Sequence, residues 1–202
     1  MSWEIRHTAV CSACQEEVHR YPSSSGEVFH VPMTITGRQP GAEETPTTGD
    51  DLAAHLTSNV FASEDAPAST VCIKCLGSAD PQGSAPVLRH SQLVSCPSTL
   101  FVALRREYFC RETGRTKKIH DKVGIPLELD MNRFTTNESA PAVYRLEGVV
   151  HHAGGTQRGH YKTFLRSPDD KWICFNDHKV EQSVAEKNVL NGHVQIMRYA
   201  KR

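Results

Sequence analysis

Tyr144-Arg-Leu-Glu-Gly-Val-Val-His151-His152-Ala153-Gly154-Gly155-Thr-Gln-Arg158-Gly159-His160-Tyr161, followed after a short polar break by Trp172-Ile-Cys-Phe-Asn176-Asp177-His-Lys-Val180, decides how this chain is read. Three strands are expected, Ala142 to Val150, Gly159 to Arg166 and Lys171 to Phe175, with a glycine-rich loop between the first two. His160 then stands at the exit of that loop, with Asn176 and Asp177 at the end of the next strand. If these segments pair as hairpins, their facing ends are neighbours. The Asn176 side-chain oxygen can then accept from one ring nitrogen of His160 and leave the other for a thiol. A cysteine hydrolase needs such an imidazole to take the thiol proton and later protonate the leaving amine, and Cys-His-Asn is one form of that triad. A neutral Asn orients the ring but stabilises imidazolium less than a carboxylate would. Asp177 can add the missing charge or hold a water near an oxyanion. A lone histidine at a strand start is ordinarily a polar surface residue, and Tyr161, Trp172 and Phe175 alone would be core. The complete string, rather than any one member, points to chemistry.

Upstream of this box, Val28 to Ile35 alternates, with Phe29, Val31, Met33 and Ile35 on one face as in a half-buried strand. Gly37 to Asp50 reads as a solvated loop. A short helix is expected from Asp50 to Val60, with Asp50 as N-cap and Leu52, Ala53 and Leu56 on one face. Leu100 to Leu104 is continuously apolar, as in a strand covered on both faces. Arg111 to Lys118 reads as a charged turn, Val123 to Leu129 as an extended piece and Thr135 to Pro141 as a polar loop. Val184 to Asn188 is expected to form a helical turn and Val194 to Tyr199 a closing strand. These elements make a mostly antiparallel β structure with little helix.

Cys11/Cys14 and Cys72/Cys75 are two CxxC pairs. Each pair can bind one ion with both sulfurs, and two pairs complete a closed, all-thiolate tetrahedron. Zn2+ held this way is structural, because no coordination position is left for water. The 202 residues contain seven cysteines, an odd number that argues against a closed disulfide framework. Lys plus Arg and Asp plus Glu both total 23, so the chain has no basic balance suited to nucleic acid. The first residues carry charges where a signal peptide would be apolar, and no stretch is long enough to span a bilayer. A protein of the cytoplasm and/or nucleus is expected, with no nucleic-acid or membrane partner.

The string from the His152-Ala-Gly154 turn through Gly159-His160-Tyr161 to Trp172-x-x-Phe-Asn-Asp-x-x-Val180 resembles the histidine box of the ubiquitin-specific proteases. Cys11-x-x-Cys14 followed by Glu27-Val-Phe-His-Val-Pro-Met33, and Val71-Cys-Ile-Lys-Cys75, are similar to the two halves of that family's zinc-bearing fingers. Pro97 to Leu104, Lys118 to Leu129 and Ile196 to Tyr199 look like its palm segments in the same order. The resemblance implies a mainly β member of an α+β family fold: an antiparallel palm sheet with zinc-ribbon fingers, papain-like but lacking the helical thumb. Residues 1–95 would be fingers and 96–202 a palm with the histidine box. It implies hydrolysis of the isopeptide bond after the ubiquitin C-terminal Gly-Gly, with His160 as base, Asn176 as its orienter and Asp177 near the oxyanion. The loop His151 to Arg158 resembles one that covers the ubiquitin tail, so His151, His152, Gly154, Arg158, Gly159 and Tyr161 are the expected substrate contacts. Glu107 to Lys117 approximates the opposing loop. The implied partners are ubiquitin or ubiquitinated proteins.

The pattern also departs from the family. Its Asn-Thr-Cys-Tyr cysteine box has no counterpart here, so a separate thumb-bearing segment or chain is expected to supply the nucleophile. Cys174 reads as a small buried residue, Cys96 precedes a strand, and Cys110 is the one conceivable substitute. Arg158 stands where the family has a small residue, and Leu104-Arg-Arg-Glu107 where it has Leu-Lys-Arg-Phe. Two other readings remain: a catalytically inactive ubiquitin-binding pseudoenzyme, and a zinc-ribbon adaptor.

Overall fold

A computed structural model describes residues 2–33, 51–76, 85–135, 142–190 and 194–202. In chain order the elements are β1 (Trp3–Cys11), β2 (Glu17–Gly26), β3 (Val28–Pro32), α1 (Leu52–Asn59), β4 (Glu64–Asp65), α2 (Ile73–Leu76), β5 (Val87–Ser95), β6 (Thr99–Arg105), β7 (Glu107–Cys110), β8 (Arg115–Lys118) and β9 (Glu128–Asp130). A 3-10 turn (Asn132–Phe134) follows, then β10 (Val143–Gly154), β11 (Gly159–Arg166), β12 (Trp172–Asn176), β13 (Lys179–Val184), α3 (Glu186–Leu190) and β14 (Val194–Lys201). Among the described residues no helix is long and apolar enough to cross a membrane.

Two sheets dominate. The smaller has the order β2-β1-β5-β4, and the larger β13-β12-β11-β10-β14-β6-β3, with β9 also paired to β10. The main core lies against the larger sheet and includes Phe29, Val31, Leu52, Leu56, Leu100, Val102, Leu104, Tyr144, Leu146, Phe164, Trp172 and Tyr199. A second, smaller cluster gathers Ala9, Cys11, Cys72 and Val87 at the far end of the smaller sheet. The mainly β architecture agrees with the sequence reading, and the details refine it.

β3 and α1 come from the 1–95 segment but serve the larger sheet. β3 pairs with β6, in parallel, while the other strand pairs of that sheet are antiparallel. The expected alternation holds at Phe29 and Val31, which are buried, while Ile35 lies outside the described residues. The expected cap Asp50 also lies outside them. The neighbouring Asp51 caps α1, its Oδ1 accepting from the Ala54 amide at 2.7 Å. Leu52, His55 and Leu56 form the buried face of α1, and Ala53 sits at its edge. Burying each leucine contributes about 1.5–3 kcal/mol. The loop Gly37 to Asp50 and residues 136–141 of the next expected loop lie outside the described residues.

The second face of β6 is only partly covered, less than its apolar run suggested: Ala103 is buried there. Leu100, Val102 and Leu104 fill the core, but Phe101 on the other face keeps 38% of its surface exposed. The charged segment after it is a hairpin rather than a turn alone, β7 paired to β8 from Glu107↔Lys118 to Cys110↔Arg115. Nothing in the sequence pattern marks β1, β2 or β13. β1 contains register shifts at both ends of its pairing with β2, which break the period of two, and β2 and β13 are polar and exposed.

Candidate active site

The β10–β11 hairpin brings the box together. Ala153 faces His160, His152 faces Tyr161, and Gly154 faces Gly159. The turn closes with the Gly155 amide donating to the Arg158 carbonyl at 2.9 Å. Gly154 sits at φ +115, and a Cβ there would lie 2.5 Å from the Arg158 carbonyl oxygen. Only glycine tolerates both conditions. At Gly159 a Cβ would lie 1.9 Å from His152 Nε2 and 2.7 Å from the Ala153 carbonyl oxygen. The glycine before His160 is therefore required by the imidazole packed over it.

β12 antiparallel to β11 (Thr163↔Phe175, Phe164↔Cys174) carries Asn176 to the His160 end of the sheet. His160 Nε2 lies 2.5 Å from Asn176 Oδ1. An amide oxygen only accepts, so Nε2 carries the proton and Nδ1 keeps its lone pair. Asp177 is the first residue of the two-residue turn into β13 and adopts φ +52, a conformation Asp accepts more readily than most residues. Its Oδ2 comes 3.9 Å from His160 Nε2. The His160 side chain is 46% exposed, so a reacting group can approach it. Chemically, the arrangement is an oriented imidazole with one free basic nitrogen and a carboxylate beside it.

The expected loop contacts do not form one cluster. His152 and Tyr161 stack on each other, ring centroids 4.4 Å apart and 17° from parallel. Strand alternation puts that pair on the face opposite His160 and Ala153. His151 is taken up elsewhere: its Nε2 donates to the Val189 carbonyl of α3 at 2.6 Å, and its ring packs on Phe164. Arg158 lines a cleft of about 1030 Å3 together with Glu107, Gly114, Arg115, Thr116, Gly155, Thr156 and Gln157. This cleft lies between the tips of the two hairpins. A second cleft of about 500 Å3, lined by His30, Arg105, Arg106, Glu107, Tyr161 and Gln195 among others, opens on the sheet face that carries Tyr161.

Two cations escape a reading of the sequence. Arg106 is 1% exposed, and its guanidinium donates to the carbonyls of Val194 (2.8 Å), Ile119 (3.2 Å) and Asp121 (2.7 Å). Burial holds its pKa below the usual arginine value, with Asp121 opposing, yet a guanidinium remains charged in proteins. One signal for it exists: Leu100, Val102 and Leu104 share a parity that continues to Arg106. Lys118 Nζ donates to His152 Nδ1 at 2.8 Å and to the His152 carbonyl at 2.7 Å. No sequence periodicity marks that contact.

The four paired cysteines converge. Their sulfurs all lie within 4.8 Å of one another, with Cys11–Cys75 and Cys14–Cys72 each at 3.6 Å, and they can hold a metal ion. The Cys14 amide lowers the Cys11 thiol to about 7, while the Cys14 and Cys11 sulfurs push Cys75 up to about 12. As thiolates, four sulfurs this close would repel one another unless a cation lay between them. All seven cysteines are free thiols, and the other three are placed apart from this cluster: Cys96 packs against the main core, Cys110 ends β7, and Cys174 is buried in β12.

Comparison with known proteins gives the family. The model named "UCH: Ubiquitin carboxyl-terminal hydrolase" matches residues 1–199. The chain belongs to the ubiquitin carboxyl-terminal hydrolase family. It is 31% identical over 184 residues to mouse "Ubl carboxyl-terminal hydrolase 18", covering 87% of this chain and 45% of that protein. It is 33% identical over 108 residues to chicken "Ubiquitin carboxyl-terminal hydrolase 48", covering 52% of this chain and 10% of that one. The chain thus spans less than half the length of either relative. Its fold is similar to a chain of the SAGA Ubp8/Sgf11/Sus1/Sgf73 DUB module bound to ubiquitin aldehyde, with a TM-score of 0.78 at 20% identity, covering 100% of this chain and 41% of that chain.

Proposed function

We propose that this chain is the fingers and palm of a deubiquitinase-type cysteine hydrolase, acting on the bond after the C-terminal Gly-Gly of ubiquitin or a ubiquitin-like protein. The observation that carries the reading is the His160–Asn176 bond at 2.5 Å, which fixes the tautomer a thiol needs. His160 Nδ1 takes the proton of a cysteine thiol. The thiolate attacks the carbonyl carbon of the terminal glycine, and the carbonyl oxygen becomes the oxyanion, near which Asp177 holds a water. Collapse breaks the C–N bond as imidazolium returns its proton to the leaving amine. Water, deprotonated by His160, then attacks the thioester carbonyl; the C–S bond breaks, the cysteine leaves as thiolate and takes the proton back from His160, and the Gly-Gly carboxylate is released. The thiol comes from a segment or chain beyond these residues: four of the seven cysteines form the metal cluster, Cys96 packs against the core, Cys174 is buried, and Cys110 ends β7. That placement also favours a second reading, a pseudoenzyme that binds ubiquitin without cutting it. The loops around Arg158 and Glu107 flank the ubiquitin tail in both readings.

The metal is Zn2+, and its role is structural. A zinc tetrahedron with Zn–S of about 2.3 Å has sulfurs about 3.8 Å apart, close to the 3.6 Å seen here. Cys11, Cys14, Cys72 and Cys75 would all ligate, leaving no open position.

A ubiquitin probe with an electrophilic C-terminus separates the readings. Labelling only in the presence of a cysteine-bearing segment supports the hydrolase. Binding of isotope-labelled ubiquitin without labelling under any combination supports the pseudoenzyme. Absence of both removes the ubiquitin assignment.

A further inference from the structure

We infer that Lys118 is a positioning residue for His160, acting through the imidazole of His152. The inference rests on the reading of His160 as the proton acceptor. Lys118 Nζ spans the gap between the two hairpins, bonding His152 Nδ1 at 2.8 Å, the His152 carbonyl at 2.7 Å and the Gly154 carbonyl at 3.4 Å. Thr156 Oγ1 adds a weaker link to the Thr116 carbonyl at 3.4 Å. The His152 ring is thereby fixed in plane, clamped between this ammonium and the Tyr161 ring. Its Nε2 edge occupies the space over Gly159, the residue next to His160. The orientation of His152 sets the position of Gly159, and Gly159 sets where His160 leaves the turn.

The link works only with neutral His152. An ammonium donating to Nδ1 requires a lone pair there, so the proton sits on Nε2. A second proton would abolish the acceptor and set two cations face to face. Burial lowers the His152 pKa first and Lys118 adds to it, while Gln195 and Glu107 work in the opposite direction. Gln195 Oε1 is buried without a hydrogen-bond partner, and as an acceptor facing the ring it favours the charged form of His152. Arg106 is a further charge nearby, and it acts on Lys118. Lowering the pH through the His152 midpoint thus releases the clamp.

The test is imidazole 15N NMR on the full chain, wild type and Lys118→Met. Wild type is expected to show His152 as a single Nε2–H tautomer. In Lys118→Met its midpoint should rise, and the His160 Nε2–H should exchange with water about tenfold faster. Should Lys118→Met fail to fold, the wild-type titration carries the same information. There the His160 Nε2–H signal should broaden at the His152 midpoint. An unchanged His152 midpoint in folded Lys118→Met, or a His160 signal indifferent to His152 ionisation, overturns the inference. Neither readout needs a thiol or ubiquitin, so a chain inert toward the ubiquitin probe can still support or overturn the Lys118 role.

Discussion

Asn176 Oδ1 accepts from His160 Nε2 across the ends of two adjacent strands. Losing that acceptor frees the ring to rotate and to change tautomer. For Asn176→Ala, a lost orienting bond of about 1–3 kcal/mol corresponds to roughly a five- to 150-fold loss of hydrolysis in the completed enzyme. Removing His160 itself should cost about 10²–10⁴-fold. Imidazole 15N spectra should show a tautomer mixture for His160 in Asn176→Ala; a retained single tautomer with unchanged turnover would contradict the assigned role.

The sulfur cluster predicts one equivalent of zinc per chain and a fall in melting temperature on chelation. Ligands must be thiolates, so metal is held at neutral pH and released as pH falls. Cys72→Ser should reproduce the chelated melting temperature. A chelator that leaves the melting curve unmoved would sink the four-thiolate site.

Arg106 is predicted to be indispensable to the fold. Truncation to Ala strands three backbone carbonyls and opens a void, and hydrogen bonds to a charged donor contribute about 1.5–3 kcal/mol each. Urea unfolding of Arg106→Ala should show a loss of at least about 3 kcal/mol, against below about 0.5 kcal/mol for an ordinary surface change. A loss under about 1 kcal/mol would mean the carbonyls find water instead.

Gly159→Ala and Gly155→Ala form a matched pair four residues apart. A Cβ at 155 meets nothing within 4 Å, whereas one at 159 collides with the Ala153 carbonyl as well as with His152. Overpacking of this kind costs about 1–3 kcal/mol, and Gly159→Ala should also shift the His160 resonances. Equal stability of the two variants would refute the close packing described here.

Much of this is legible from the residues. The β10, β11 and β12 strands are legible from the string that brackets the glycine-rich loop, and the loop glycines locate His160 opposite Asn176. The CxxC spacing brings four sulfurs together from distant parts of the chain. What stays hidden has physical causes. β2 and β13 are exposed edges with little apolar pattern to read. The bulge in β10 lets Leu146 pair with Tyr199 and Gly148 with Arg198, so burial changes parity midway. His151 and His152 are equivalent in sequence, and only pairing decides that one goes to Val189 and the other to Lys118. Lys118 reads as one more charge in a charged turn until the strand beside it is known.

β3 is joined to β6 in parallel, although Gly26 of the smaller sheet lies only two residues before it. During synthesis, Trp3 and Phe61 can already pack on the Phe29 ring, but the backbone edge of β3 has no strand partner until the ribosome has released residues beyond Arg105. The β1–β2 hairpin can close early, while the β3 edge waits unpaired and open to wrong strand partners. Such long-range pairing is slow to nucleate, so the rate of maturation should follow the arrival of β6 rather than the closure of the sulfur cluster.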